Sequence, residues 1–445
     1  MLNSAVIREP GLWKRGVLWL LLLGPVFFLS YGFANWITSL RNDVGIVVFD
    51  WESHIPLLPW TIIPYWSIDL LYGLSFLLPA TRREMDRHAL RLLTVQIICV
   101  ACFLLWPLTI SFNRPELAGV FGGMFDLLMG FDKPFNQAPS LHIALLVVLW
   151  TRFAAHLPAR WLPLLHIWFA LIAISVLTTW QHHFIDLPTG ALVGFFCLWL
   201  WPSAQYSPLA TMRLTDNPQR RRLALRYLLG CALLTALAFV IGGAALWLLW
   251  PAVSLLVVAL NYLVFGVQGF QKQANGRLSP GAWGLLAPYL LGAWINSRIW
   301  TRRAPEPVQV ADNVWLGRIP SKQSLAQFAA LVDLCAELPI NTQAKPYRSF
   351  PVLDLTAPST QTCQTVAHAI EELRQHGSVL VYCALGYSRS ATAIAAWLLA
   401  TERCTNLEEA LACVRRAQPN VVLKSAHQAA LQPLIKDAKV SNNDV

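Results

Sequence analysis

Cys383 and Arg389 stand six positions apart in "VLVYCALGYSRSATAIAAWLL" (379–399), where an apolar strand, a short loop and a helix follow one another. Backbone N–H groups that converge in a strand-to-helix loop form a concave anion site, reinforced by the positive end of the helix dipole. A thiol at the start of that loop has its anion stabilised by the same field. Ala384, Leu385, Gly386, Tyr387 and Ser388 would line the cradle, with Gly386 permitting the tight turn. Arg389 offers a planar, two-pronged grip on phosphate oxygens, and Ser390 opens the helix. The chemistry predicted is a sulfur nucleophile beneath a bound phosphate.

A second set of reactive side chains lies far upstream, in "APSLHIAL" (138–145) and "TWQHHFIDLPTG" (179–190). Both stretches sit at the edges of apolar runs, where ionisable residues are costly and mark function by default. His182 and Asp186 share one helical face if a helix begins there, so the carboxylate would hold one imidazole nitrogen and sharpen the other as a nucleophile. His142 precedes His182 by 40 residues, about one span inward and one outward, which returns both to the same end of a bundle.

The elements that must position these groups differ between the two ends of the chain. Its 445 residues would suffice for two or three soluble domains, but 56% are hydrophobic and only 13% charged, where about 25% charge is usual for a soluble protein. The deficit falls on residues 1–300. Runs of about 20 apolar residues predict spanning helices near 16–37, 57–79, 90–111, 140–158, 161–181, 185–206, 227–249 and 251–270. A further segment, 281–300, carries Gly281, Gly284, Pro288, Gly292 and Asn296, and is expected to lie in the interface or re-enter. Lys14 and Arg15, then Arg82, Arg83 and Arg87, then Arg152 and Arg160, then Arg213, Arg220, Arg221 and Arg222, then Lys272 and Arg277 mark every second connection as basic. That alternation predicts eight spans with the tail in the cytoplasm; a ninth would put the tail outside.

"TRRAPEPVQV" (301–310) reads as a linker. Beyond it, "VWLGRI", "ALVDLCAEL", "SFPVLDL" and "SVLVYCA" read as strands, alternating with helices near 364–375, 391–402 and 406–417. The expected fold class is therefore a polytopic α-helical membrane domain (1–300) followed by a soluble α/β domain (311–445). The net charge of +10 is scattered between apolar runs with no nucleic-acid-reading motif beside it, which argues against nucleic-acid partners. Nine cysteines without metal-ligand or disulfide spacing suit a reducing compartment, and no metal or cofactor is implied. No pattern in the sequence fixes an oligomeric state.

Residues 311–435 resemble a dual-specificity phosphatase of the cysteine-dependent superfamily, through "CALGYSRS", "VWLGRIPS" (314–321) and "EEALACVRRAQPNV" (408–421). The resemblance implies a metal-free phosphocysteine mechanism. It also implies that Asp354, in "DLTAPS", is the general acid that protonates the leaving oxygen. Tyr382 stands where the family usually has the His that helps order the cradle. Residues 90–206 resemble the type 2 phosphatidic acid phosphatase superfamily, through P-S-x-H and H-x-x-x-D-x-x-x-G. That implies His182 as nucleophile, Asp186 as its orienting carboxylate, His142 as the acid and Arg114, in "NRP", as a phosphate ligand. Two usual cations are replaced by Pro107 and Val176, with Lys133 a candidate substitute, and P-S-L-H is closer to the inositol phosphorylceramide synthase branch.

The whole arrangement resembles bacterial bifunctional proteins of the inner membrane that fuse the two modules. The activity expected is hydrolysis of a lipid phosphate or diphosphate at the histidine site and of a phosphomonoester at the cysteine site. The partners are membrane lipids and a phosphorylated lipid or protein substrate, which points to lipid metabolism. The same residues also suit a membrane phosphotransferase that moves a phospho-headgroup to an alcohol, or a degenerate module that only binds phosphate.

Overall fold

The computed structural model describes residues 8–203 and 207–435. The end of the expected 185–206 span and the expected domain end, 436–445, lie outside the described residues. The chain divides into two compact units, Met1–Ala210 with Pro280–Leu285, and Thr211–Ser279 with Leu286–Val445.

The first unit is helical: α1 (Leu12–Ser39), α2 (Ile62–Leu74), α3 (Arg82–Leu105), α4 (Gly119–Phe131), α5 (Leu141–His156), α6 (Leu162–Thr178) and α7 (Asp186–Leu200). Its core is made mainly by α3 and α5, with buried residues of α1, α2, α6 and α7 around them. The approach of α7 to α5 depends on two small residues one turn apart. A Cβ on Gly190 would stand 2.4 Å from the Ser140 carbonyl oxygen, and one on Gly194 2.7 Å from Val147 Cβ. Ser140 caps α5 by accepting from Ile143 N–H, and its own N–H donates to the Asp186 carbonyl at 3.1 Å. These contacts tie "APSLH" to the start of α7.

Among the described residues, five helical stretches are long and apolar enough to cross a membrane: Leu12–Ser39, Arg82–Leu105, Ala159–Thr178, Pro218–Ile241 and Gly243–Phe270. The expected spans at 57–79, 140–158 and 185–206 fall on the shorter α2, α5 and α7, of 13, 16 and 15 residues, with 3-10 turns at Pro59–Thr61 and Ser75–Leu77 extending α2 at both ends. The apolar α4 was not expected from the sequence.

The second unit begins with α8 (Pro218–Ile241) and α9 (Leu249–Leu260), whose path continues through a π turn, Asn261–Phe265, and a 3-10 turn, Gly266–Phe270. A hairpin at 271–279 and α10 (Pro280–Trp300, in this unit from Leu286) lead to a five-stranded sheet. It contains β1 (Val308–Ala311), β2 (Val314–Arg318), β3 (Ala330–Cys335), β4 (Tyr347–Val352) and β5 (Val379–Cys383) in the order β1-β2-β5-β3-β4, all parallel except β1. The remaining helices are α11 (Lys322–Leu325), α12 (Thr360–Arg374), α13 (Arg389–Ala400), α14 (Leu407–Ala417) and α15 (Ser425–Leu431). The expected linker is shorter than 301–310. Val308 pairs with Leu316, and Val308 and Val310 pack against the core, so the sheet starts inside it.

β5 is central, and its alternation divides the core. Val379, Val381 and Cys383 face α12 and α13, with Trp397 fully buried among them. Leu380, Tyr382 and Ala384 face the opposite layer, built from Ile319, Leu325, Phe328, Leu331 and Leu338, with Ala293 of α10 packed against it.

Candidate active site

Cys383 ends β5 and is buried. Its Sγ accepts from the Gly386 N–H and from the Ser390 hydroxyl, both at 3.3 Å. The two donors lie on the loop and in the first turn of α13, where the helix dipole adds to them. Gly386 has φ +81°, and a Cβ there would stand 2.7 Å from the Gly317 carbonyl carbon and oxygen. The turn therefore needs glycine for conformation and for space. Other residues fix the rim. Val422 N–H donates to the Tyr387 carbonyl at 2.8 Å, and the Ser388 hydroxyl meets His427 Nε2 at 2.7 Å. His427 Nδ1 accepts from Lys424 N–H, so Nε2 carries the proton and donates. The Ser388 hydroxyl hydrogen then remains for a bound anion.

Arg389 is buried and held on three sides. It is bidentate with Glu337 at 2.9 and 2.8 Å, donates to the Val352 carbonyl at 2.8 Å and pairs with Asp354 Oδ1 at 2.8 Å. Burial alone would raise the Glu337 carboxyl, but the Arg389 charge and hydrogen bonds outweigh it and hold the group below its ordinary range. Burial pushes the Asp354 carboxyl above its ordinary value; Arg389 opposes this and the Glu337 charge adds to it. Burial works against the Arg389 cation, yet Glu337 and Asp354 keep it firmly protonated. The fold thus brings Cys383, Arg389, Ser390 and Asp354 together around the loop 384–388. Glu337 was missed by the sequence analysis. Its position just past the C-terminal end of a parallel strand is the one available signal, since sites in such sheets gather there. Tyr382 is wholly buried in the opposite layer.

In the first unit His182 Nδ1 meets Asp186 Oδ2 at 3.0 Å, which leaves Nε2 as the free nitrogen, 3.3 Å from the Ser140 hydroxyl. The pair does not share a helical face as expected. Residues 180–185 form turns, and Asp186 is the first residue of α7. Asp186 also accepts from the His183 N–H at 3.1 Å. His142, in the first turn of α5, stacks on Tyr65 with ring centroids 4.2 Å apart, and its Nε2 is buried without a partner. Tyr65 and Tyr31 both donate to Asp132, at 3.3 and 2.6 Å. Arg114 donates to the Thr179 carbonyl at 3.1 Å, lies over the Phe125 ring and lines a cavity of about 370 Å³ with Phe112, Trp180 and Gln181. Lys133 is exposed and donates to the Met129 carbonyl. A second histidine–carboxylate pair, His183 with Glu52 at 3.0 Å, is also new. Its other nitrogen accepts from Ser111 N–H, which makes it a clip for the 50–54 turn. Among the described residues no cluster of three or more His, Cys, Asp or Glu side chains could hold a metal.

Residues 314–434 match the family model of the dual specificity phosphatase catalytic domain, and this stretch of the chain is such a domain. Similar solved structures include Tk-PTP in the active form, at 30% identity over 29% of this chain and 97% of that one, TM-score 0.28. Human DUSP28 is 25% identical over 29% and 93%, TM-score 0.28. PTPMT1, solved in complex with PI(5)P, is 17% identical over 29% and 93%, TM-score 0.27. No curated protein matches the chain.

Proposed function

We propose that the chain is a membrane-bound phosphatase with two phosphoryl-transfer sites. The catalytic domain hydrolyses phosphate monoesters through Cys383, and the helical unit carries a histidine site for a lipid phosphate or diphosphate. The observation that carries the first part is the convergence, from two different strand ends, of a twice-donated sulfur, an arginine and a carboxyl with a raised pKa. An incoming phosphate replaces Asp354 on the guanidinium and takes the loop N–H groups and the Ser388 hydroxyl. The Cys383 thiolate attacks phosphorus, an S–P bond forms, and the P–O bond breaks as Asp354 gives its proton to the leaving oxygen. Water, deprotonated by the Asp354 carboxylate, then attacks the phosphocysteine and releases phosphate and thiolate. Glu337 keeps Arg389 aimed throughout.

The histidine site is supported by the His182 contacts, Nδ1 on Asp186 and Nε2 on the Ser140 hydroxyl, and by the cavity that Arg114 lines with Trp180 and Gln181, the residues just before His182. The placement proposed is a multi-pass protein of the inner membrane with the catalytic domain on the cytoplasmic side. The basic residues in alternate connections support the sidedness, and the apolar helices of spanning length support residence in a membrane. Its substrates are phosphorylated lipids or proteins. The test is full-length protein in detergent: Cys383→Ser abolishes phosphate release from an aryl phosphate, and adding His182→Ala to it abolishes the release from a dispersed lipid phosphate that the single variant retains. If the serine variant retains the wild-type aryl phosphate rate, the first site is wrong.

A further inference from the structure

We infer that the cysteine site works at the membrane surface and takes the phosphomonoester headgroup of a lipid. This deepens the reading of Cys383 as nucleophile and rests on it. The catalytic loops hang from elements that belong to the membrane. Ser297 of α10 is buried and its hydroxyl donates to the Ala384 carbonyl at 2.5 Å, one residue from the nucleophile. Tyr387 of the cradle donates to the Trp300 carbonyl at 3.3 Å, and Arg298 to the Ile319 carbonyl at 3.2 Å. On the acid side, Tyr262 lies in the π turn near the end of the Gly243–Phe270 apolar stretch, and its hydroxyl donates to the Asp354 carbonyl at 2.9 Å.

The helix that carries Ser297 has a second face. Leu291, Trp294, Ile295, Ile299 and Trp300 are exposed by 59, 47, 42, 56 and 66%. Leu291, Trp294, Ile295 and Ile299 have the spacing of one helical stripe, opposite Ala293 and Ser297, which pack on the catalytic domain; Trp300 ends the helix off that stripe. Such a stripe on a helix that ends in Trp, with arginines beside it (Arg302 and Arg303 are exposed), is the pattern of a helix lying in a bilayer interface. The segment does not carry the chain across. The hairpin before it is already fixed to the same domain, because Lys272 Nζ donates to the Cys335 and Leu338 carbonyls at 2.6 and 2.7 Å and Ile340 N–H donates to Gly276 O. A soluble domain that holds both ends leaves no hydrocarbon between them. Beside the acid, Leu355 gives the rim an apolar, 55% exposed side chain. Exposed Arg222 and Arg226 of α8 supply charge that attracts anionic lipid.

The test uses the full chain with His182→Ala, so that the histidine site contributes no turnover, reconstituted in phosphatidylcholine vesicles. Three probes are compared: a soluble aryl phosphate, a phosphotyrosine peptide, and phosphatidic acid or phosphatidylinositol 4-phosphate in the vesicles. The expected result is a kcat/KM for at least one lipid about tenfold or more above the peptide, a difference of about 1.4 kcal/mol. Its rate follows the lipid's surface mole fraction at constant bulk concentration. Trp294→Ser with Trp300→Ser lowers the ratio of lipid to aryl phosphate turnover, a ratio that loss of folded protein does not move. Peptide cleavage equal to or better than both lipids, or aryl phosphate cleavage with neither lipid touched, overturns the inference and leaves the Cys383 reading intact. Aryl phosphate turnover no greater than that of Cys383→Ser sinks the Cys383 reading itself.

Discussion

Glu337→Gln separates the aiming of Arg389 from its charge. Glu337 supplies two of the four contacts made by the guanidinium, at 2.9 and 2.8 Å, from a fully buried position. A glutamine keeps one acceptor and turns a donor toward the other guanidinium nitrogen, so one charged hydrogen bond is lost, worth about 1.5–3 kcal/mol. If that stabilisation is spent on orienting Arg389 in the transition state, kcat falls roughly ten- to a hundredfold at about 1.4 kcal/mol per decade. The pH profile moves as well. Asp354 acts as an acid while protonated, and its raised pKa extends that form to higher pH. Without the Glu337 anion, and with Arg389 no longer shared, the Asp354 pKa drops, so activity on the basic side is lost at lower pH than in the wild type. The assay is kcat against pH for an aryl phosphate with the full-length protein. A kcat within about threefold of wild type, close to 0.6 kcal/mol, together with an unmoved basic limb, would refute the assignment of Glu337.

Asp354→Asn is expected to lower turnover of an alkyl phosphate by about 10²–10⁴, with a smaller loss for a good aryl leaving group and no basic limb in the pH profile. Gly386→Ala forces an L side chain to φ +81°, at about 1–2 kcal/mol, and sets a Cβ against Gly317; phosphate release stops while far-ultraviolet circular dichroism is unchanged. Gly194→Val drives α7 from α5, so lipid phosphate release at His182 is lost and aryl phosphate turnover at Cys383 persists. Lys272→Met leaves Asp333 buried without the cation 2.5 Å away and destabilises the fold by about 3–5 kcal/mol; adding Asp333→Asn recovers part of this in thermal unfolding.

The strand, loop and helix at 379–399 were legible because the whole device is contiguous: each residue that touches the sulfur lies within seven positions of it. Glu337 was not, since its partner Arg389 is 52 residues away and only the β3–β5 pairing makes them neighbours. β1 hid behind the prolines at 305 and 307, with two valines too few to show an alternation. In the helical half, eight apolar runs were read as spans, and five helices among the described residues have spanning length and hydropathy. Most of α5 is apolar because it is the centre of the bundle, and hydropathy does not distinguish a face turned to protein from one turned to lipid. The segment 281–300, set apart in the sequence by its glycines, proline and asparagine, lies in one continuous helix. The partner on its inner face was beyond the sequence, because Ala293 and Ser297 carry no hint of a sheet layer 20 or more residues downstream.

The tyrosine at 382 is intelligible in this light. The usual histidine helps order the cradle by resemblance to the family, and a tyrosine turned into the opposite layer in its place calls for other donors. They come from outside the loop: Ser297 to the Ala384 carbonyl, Val422 N–H to the Tyr387 carbonyl and His427 to Ser388. Tyr382 then needs only to fill the layer beneath, which its complete burial among Leu331, Leu338 and Ala384 accomplishes. Of these three braces, only Ser297 sits on a helix whose other face is apolar and exposed. Whatever settles that face against a membrane therefore also settles the carbonyl next to the nucleophile. Order in the cradle and contact with the bilayer become one requirement, met by a single helix.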